Sequence, residues 1–215
     1  MKTILLKDAV ALIPDGASVM IGGFMGVGTP ERLVDELVSQ GKRNLTVIAN
    51  DNALPGIGIG KLITAGAVKK TIASHIGLNP ETQKKMLSGE LEVDLVPQGT
   101  LIERIRAGGF GLGGVLTPTG VGTVVEKGKT RIEVAGKPYL LETALRADFA
   151  LVDAFIADYT GNLYYTLTAR NFNPVIAMAA DTVIVEAENI VPVGVISPDN
   201  VITPAPVVDY IISHA

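Results

Sequence analysis

The chain has 215 residues, 47% of them hydrophobic, a mean hydropathy of +0.38 and a formal net charge of −4. That length suffices for one well-buried α/β unit, and no apolar run approaches the roughly 18–20 residues that a membrane span needs. The absence of cysteine excludes disulfides, thiolate metal sites and a cysteine nucleophile. With His75 and His214 as the only histidines, a Ser-His-Asp triad is a poor reading. Scattered basic residues argue against a nucleic-acid surface. Lys7 and Asp8 interrupt the N-terminal apolar stretch too early for a signal peptide, so the cytoplasm is the expected compartment.

Residues 3–13 read as an amphipathic helix, closed by a turn at Pro14-Asp15-Gly16. Ser18–Ile21 is β-branched and apolar and predicts a short buried strand. Gly22, Gly23, Gly26 and Gly28 then strip Cβ atoms from a loop at the carboxyl end of that strand, where a ligand can approach the backbone. Thr29 is placed to cap the next helix and Pro30 to occupy its first position. Leu33, Val34, Leu37 and Val38 form its apolar face, and Gly41 its stop. Strand, glycine loop and helix start together predict an anion site built from N–H groups and the helix dipole. A tight turn with no ligand accounts for the same glycines about as well. The dinucleotide pattern G-x-G-x-x-G fails, because Glu31 takes the third glycine position after Gly26 and Gly28.

Residues 45–49 predict a second strand, ending in Asn50-Asp51-Asn52 at the same sheet edge if the strands are parallel. Asn50 and Asn52 could bond a substrate or cap the neighbouring helix. Residues 55–61 fail as a phosphate loop: Pro55 replaces the first glycine, and Leu62 stands where Ser or Thr must hold magnesium. Residues 68–74 make a third strand with His75 at its end, 80–87 a helix and 93–96 a fourth strand, which delivers Pro97-Gln98-Gly99-Thr100. A helix through Ile105 follows. Gly109, Gly111 and Gly114 match G-x-G-x-x-G literally, yet a helix precedes them and Thr117-Pro118-Thr119-Gly120 follows. The expectation there is an extended loop with exposed backbone, close to ligand or partner. Val124-Val125, residues 131–134 and residues 139–141 predict a small β-meander near 120–142. Residues 149–152 resume the main sheet, 158–162 turn into a strand over 163–167, Asn173 caps a helix opened by Pro174, and 183–185 form another strand. The tail, 204–212, packs on the sheet or at an interface. The whole reads as an α/β fold, an open, mostly parallel sheet with helices on both faces plus the meander, in one domain over residues 1–215.

The string from Asp15 to Pro30, DGASVMIGGFMGVGTP, resembles the first motif of the family I coenzyme A transferases, D-G-x2-[apolar]3-G-G-F-x3-G-x-P. The resemblance runs from about Asp8 to the C terminus and recurs in IAND, SHIG-x-NPET, VPQGTL-x-E, AGG-x-GLGG-x-LTPTG-x-GT and ARNFNP. It is to the α subunits of the acetate/acetoacetate (butyrate–acetoacetate) type, and it implies the fold shared by these transferases and ribose-5-phosphate isomerase. The implied activity moves CoA from an acyl-CoA to a free short-chain carboxylate. A glutamate attacks the thioester to give an acyl anhydride and CoA thiolate. The thiolate returns to form a glutamyl-CoA thioester, and the acceptor carboxylate resolves it through a second anhydride. Such chemistry needs a nucleophilic carboxylate, oxyanion donors and exclusion of water.

In the resembled family the nucleophile lies in an S-E-N-G motif on the β subunit. This chain offers only Ala187-Glu188-Asn189-Ile190, and Glu188 reads as a solvated surface carboxylate. The resemblance therefore implies a catalytically incomplete α subunit working with a β subunit as α2β2. Its implied oxyanion donor is Gln98, a neutral amide with two N–H donors. The implied CoA and substrate contacts are Gly22, Gly23, Phe24, Met25, Gly26, Val27, Gly28, Thr29 and Pro30, with Asn50, Asn52, Gly99 and Gly109. Coenzyme A and acyl-CoA enter as substrates, with no tightly bound cofactor and no metal. If this holds, Gln98 and the loop at 24–30 must share one opening. Sugar-phosphate isomerisation is the alternative from a related fold, but it wants an in-chain acid/base pair where these loops offer glycine, asparagine and glutamine. A non-catalytic acyl-CoA-binding module would bind without turnover.

Overall fold

The computed structural model describes residues 2–212; His214 lies outside them. The first half alternates strand and helix: β1 (Lys2–Ile4), α1 (Leu6–Ala11), β2 (Ser18–Ile21), α2 (Glu31–Ser39), β3 (Leu45–Asp51), α3 (Ile59–Thr64), β4 (Val68–His75), α4 (Pro80–Ser88), β5 (Glu92–Leu95) and α5 (Gln98–Gly109). A three-stranded antiparallel sheet follows, from β6 (Gly114–Thr117), β7 (Thr130–Val134) and β8 (Lys137–Thr143), in the order β6-β8-β7. The chain then returns to the main sheet with β9 (Ala147–Asp158), β10 (Leu163–Tyr164), α6 (Asn173–Ile176), β11 (Ala180–Val191) and β12 (Tyr210–Ile212).

The main sheet runs β1-β12-β11-β9-β2-β3-β4-β5, all parallel, and β10 pairs antiparallel with β9. Side chains alternate across a strand. Val19, Ile21, Val47, Ala49, Leu151 and Ile184 therefore meet Ala9, Val10, Leu33, Leu37 and Leu62 of α1, α2 and α3 on one face. Met20, Ile48, Ala150, Val152, Val183 and Val185 meet Leu101, Ile105 and Ile176 of α5 and α6 on the other. Burial on both faces explains the near-continuous apolar runs in these strands. Among the described residues, no helix is long and apolar enough to cross a membrane.

Several expectations change in detail. Residues 3–13 are not one helix, because Lys2, Thr3 and Ile4 pair in parallel with Tyr210, Ile211 and Ile212. The tail thus lies within the sheet, between β1 and β11. The strands expected at 149–152 and 183–185 each extend to 12 residues. The strand at 163–167 stops after Tyr164, and Leu167–Arg170 forms a 3-10 turn. In the meander, Val124 and Val125 belong to a 3-10 turn, and the third strand is β6, which starts at Gly114. The expected open loop at 108–114 shrinks because α5 continues through Gly108 and Gly109. A Cβ at Gly108 would lie 2.3 Å from the Leu145 carbonyl oxygen, so glycine there serves close packing.

Parallel pairing brings the carboxyl ends of β2, β3, β4, β5 and β9 to one edge. From β2 the chain proceeds outward to β3, β4 and β5; from β9 it proceeds the other way, to β11. Such a reversal opens a crevice between the strands concerned, here β2 and β9, where ligands of open α/β sheets bind.

Candidate active site

At that edge, Phe24, Met25, Gly26 and Val27 form a two-residue hairpin, with Phe24 and Val27 exchanging backbone hydrogen bonds of 3.0 Å in both directions. Met25 (φ +53°) and Gly26 (φ +92°) both take left-handed backbone, which a type I′ turn requires. The Asp51 carboxylate accepts from the Met25 N–H at 3.2 and 3.1 Å and from the Ala53 N–H at 2.7 Å. It also accepts from the Asn50 side-chain amide at 2.9 Å. Asn50 in turn accepts from the Gln98 amide at 2.6 Å. A continuous polar relay, loop–Asp51–Asn50–Gln98, therefore ties three neighbouring segments together.

Phe24, Asn50, Gln98, Gly99, Ile102, Asn171 and Phe172 line one cleft of about 280 Å³. The expected shared opening between Gln98 and the glycine loop is present. Gln98 is exposed at the first position of α5, while Asn50 is buried beneath it and held also by the Ser74 hydroxyl, which donates to its carbonyl at 2.7 Å. Asn50 takes one amide N–H of Gln98, which leaves the second for a ligand.

The rest of the loop serves the fold more than expected. The N–H groups of Gly22, Gly23, Phe24, Met25, Val27 and Thr29 all donate within the chain. A Cβ at Gly22 would lie 1.8 Å from Asn173 Oδ1, and one at Gly28 2.5 Å from the Ala169 carbonyl, so close packing accounts for both. Thr29 does not cap α2: it is buried, and Pro30 is itself the cap position with no side-chain bond. Glu186 of β11 does the capping, its carboxylate accepting from the Arg32 and Leu33 N–H groups at 3.2 and 3.0 Å. The anion site expected at this helix start is thus already filled by the protein's own carboxylate. Phe24, Met25 and Val27, in contrast, expose their side chains.

Two further candidates leave the site. Asn52 is buried, accepting from the Thr71 hydroxyl at 3.0 Å and donating to Thr82 at 3.4 Å, which stitches β3 to β4 and α4. Gly109 ends α5, with a Cβ there only 2.7 Å from that of Met178, at the opposite end of the helix from Gln98. Nor does Asn173 cap a helix: its Oδ1 accepts from the Asp153 N–H at 3.0 Å, and its amide donates to the carbonyls of Gly28 and Ala169 at 2.8 Å. His75 is exposed beyond the cleft.

Sequence reasoning left Asp51, Asn171 and Glu186 without roles. Asn171 accepts from the Gly23 N–H at 3.0 Å and donates to the Val27 carbonyl at 2.9 Å, clamping the hairpin from the far side. The signal for Glu186 was available: an acid in phase with Ile184 inside an apolar strand demands a buried partner. Asp153, its register partner on β9, is pushed up to about 7 by burial, with the charges of Glu186, Glu188 and Glu31 adding to the shift.

The chain belongs to the coenzyme A transferase family: the family's profile, described as Coenzyme A transferase, matches residues 3–214. Members of the family act on CoA thioesters, and this chain is a transferase of that kind. It is 58% identical to the acetate CoA-transferase subunit alpha of Escherichia coli K12, over 98% of this chain and 96% of that one. It is 53% identical to the acetoacetyl-CoA:acetate/butyrate CoA transferase alpha subunit of Clostridium acetobutylicum, over 99% and 98%. Among solved structures, glutaconate coenzyme A-transferase from Acidaminococcus fermentans has the same fold, with a TM-score of 0.85 at 22% identity, covering 99% of this chain and 75% of that one. An acyl-CoA transferase from E. coli O157:H7, solved as a thioester complex with CoA, gives a TM-score of 0.86 at 24% identity; the chain spans 46% of its length. The isomerase alternative is not favoured by these relatives.

Proposed function

We propose that the chain is the α subunit of a short-chain acyl-CoA:carboxylate CoA-transferase of the acetate, butyrate and acetoacetate class. In this reading a β subunit brings the nucleophilic glutamate, on an S-E-N-G motif, to the open side of the cleft, and the pair assembles as α2β2 in the cytoplasm. The observation that carries it is the cleft itself. Its lining offers amide and backbone donors and apolar surface, with no carboxylate among its residues.

Gln98 then supplies an N–H to the oxyanion that forms when the partner's glutamate attacks the thioester carbonyl. Because the amide is neutral, it does not neutralise the attacking carboxylate. Asn50 and Asp51 hold it in position, so little reorganisation is needed as charge develops. Phe24, Ile102 and Phe172 provide the apolar wall for a short acyl chain and help to exclude water from the anhydride. The hairpin around Met25 contacts the CoA arm through its exposed side chains.

The test is reconstitution. The chain alone should transfer no CoA from acetoacetyl-CoA to acetate, and addition of the β subunit should restore transfer. Gln98→Ala in the complex should lower kcat by about 10² to 10³. Robust transfer by this chain without a partner would refute the divided site.

A further inference from the structure

We propose that Ile102 sets the length of acyl chain that the cleft accepts: its side chain closes the apolar pocket one helical turn inward from Gln98, so that acids of two to four carbons fit and longer ones do not. The proposal rests on the function given above and adds to it the residue that selects among straight-chain acids.

Helix α5 runs inward from the ligand edge of the sheet. It begins just past the carboxyl end of β5, and its far end lies beside the start of β9. There the Leu145 N–H donates to the Arg104 carbonyl at 2.9 Å, and the Arg146 guanidinium to the Gly108 carbonyl at 3.0 Å. Ile102 follows Gln98 by four residues, which puts the two side chains on one helix face, one above the other. Both line the cleft of about 280 Å³. Leu101 and Ile105, the neighbouring apolar residues of the helix, are buried in the core instead.

Of the three apolar residues in the lining, Phe24 is 45% exposed and stands at the mouth. Ile102 is half-buried and packs against the core cluster to which Phe172 belongs, so these two form the inner wall. Neither swings aside. A β-branched side chain in a helix keeps one strongly preferred χ1 rotamer. Phe172, 7% exposed, donates its N–H to Asn171 Oδ1 at 2.6 Å, and its carbonyl accepts from the Val175 and Ile176 N–H groups at 3.0 Å.

One helical turn rises about 5.4 Å, roughly the length of four carbon–carbon bonds along an extended chain. With the acyl oxygen held by the Gln98 amide, a butyryl or acetoacetyl chain fills that interval, and an acetyl group leaves part of it empty. A six-carbon chain meets the Ile102 side chain and must displace it. Overfilling a packed apolar site is unfavourable, and one methylene too many in such a pocket is worth about 10-fold or more in discrimination.

The test measures kcat/KM in the reconstituted complex with acetyl-, butyryl- and hexanoyl-CoA as donors. Lost stability scales every donor alike, so the readout is the ratio between donors. Ile102→Ala should raise hexanoyl relative to butyryl transfer at least fivefold. Ile102→Phe should lower butyryl relative to acetyl transfer at least fivefold. Ile105→Val, a truncation in the core outside the cleft, should lower Tm and leave both ratios at their wild-type values. Unchanged ratios in the two Ile102 variants would overturn the proposal. So would an equal change in Ile105→Val, which would trace the effect to general loosening. If the wild-type complex transfers no CoA, the function proposed above falls. The pocket is then decided by saturation-transfer NMR of the chain with hexanoate: tighter binding to Ile102→Ala than to wild type supports it, and equal binding overturns it.

Discussion

Asp153 on β9 and Glu186 on β11 are register partners, so their side chains leave the sheet on the same face, toward the start of α2. Glu186 gains two backbone donors there, yet burial still holds its carboxyl above the usual carboxylate range. Asp153 stands at about 7, raised first by burial and then by the surrounding acids. Between the ordinary value near 3.8 and 7, the folded chain keeps a proton that the unfolded chain has released. The contribution of Asp153 to stability therefore declines as pH rises through that window and levels off above it. Asp153→Asn should stabilise the chain by roughly 1–2 kcal/mol at pH 8, with the gain shrinking toward zero near pH 4. Urea titrations across that range would show it; a gain independent of pH would contradict the assignment. Glu186→Ala leaves the Arg32 and Leu33 N–H groups without their acceptor and should cost about 1–2 kcal/mol.

The hairpin at 24–27 depends on two side chains from elsewhere in the chain, Asp51 and Asn171. Asp51→Ala removes the acceptor from Met25, Ala53 and Asn50 together, so stability should drop by about 2–3 kcal/mol. Amide exchange over residues 23–28 should also accelerate, and kcat should fall as Asn50 and Gln98 lose their anchor. Unchanged exchange in that segment would show that the hairpin stands by itself. The same dependence marks what a sequence can reveal. Strand β2 and helix α2 were legible because their apolar spacing is local; strand-edge logic brings residues 50–52 and 97–100 to the ends of their strands, but the choice of Gln98 and its pairing with the glycine loop rest on the family resemblance. Thr29 was misassigned as a cap because the group that caps α2 arrives from residue 186. Thr3 and Ile4 read as helix because their partner strand lies at the other end of the chain. The loop glycines suggested a ligand where Gly22 makes room for Asn173 and Gly28 for Ala169, distances that no spacing rule contains.

At the scale of the molecule, the hairpin beside the cleft exposes Phe24, Met25 and Val27, Ile57 lies against Gly26, and Leu167, 90% exposed, belongs to the 3-10 turn whose Ala169 packs on Gly28. Single exposed apolar residues are ordinary, but a group carried by the hairpin and the turns packed on it marks a surface that another body covers. On the function proposed here that body is the β subunit, whose arrival would both deliver the glutamate and keep water from the anhydride. Leu167 packs so little surface in the isolated chain that Leu167→Asp should leave its Tm unchanged. In the complex the same substitution should weaken α–β association at least tenfold, which is about 1.4 kcal/mol. Leu87, 82% exposed in the last turn of α4, is the matched control, because that turn points away from the carboxyl edge of the sheet. Sedimentation of the two variants with the β subunit separates general surface polarity from a specific dock. Loss of assembly with Leu167→Asp alone places the partner over the cleft; equal behaviour of both variants would move the interface elsewhere on the chain.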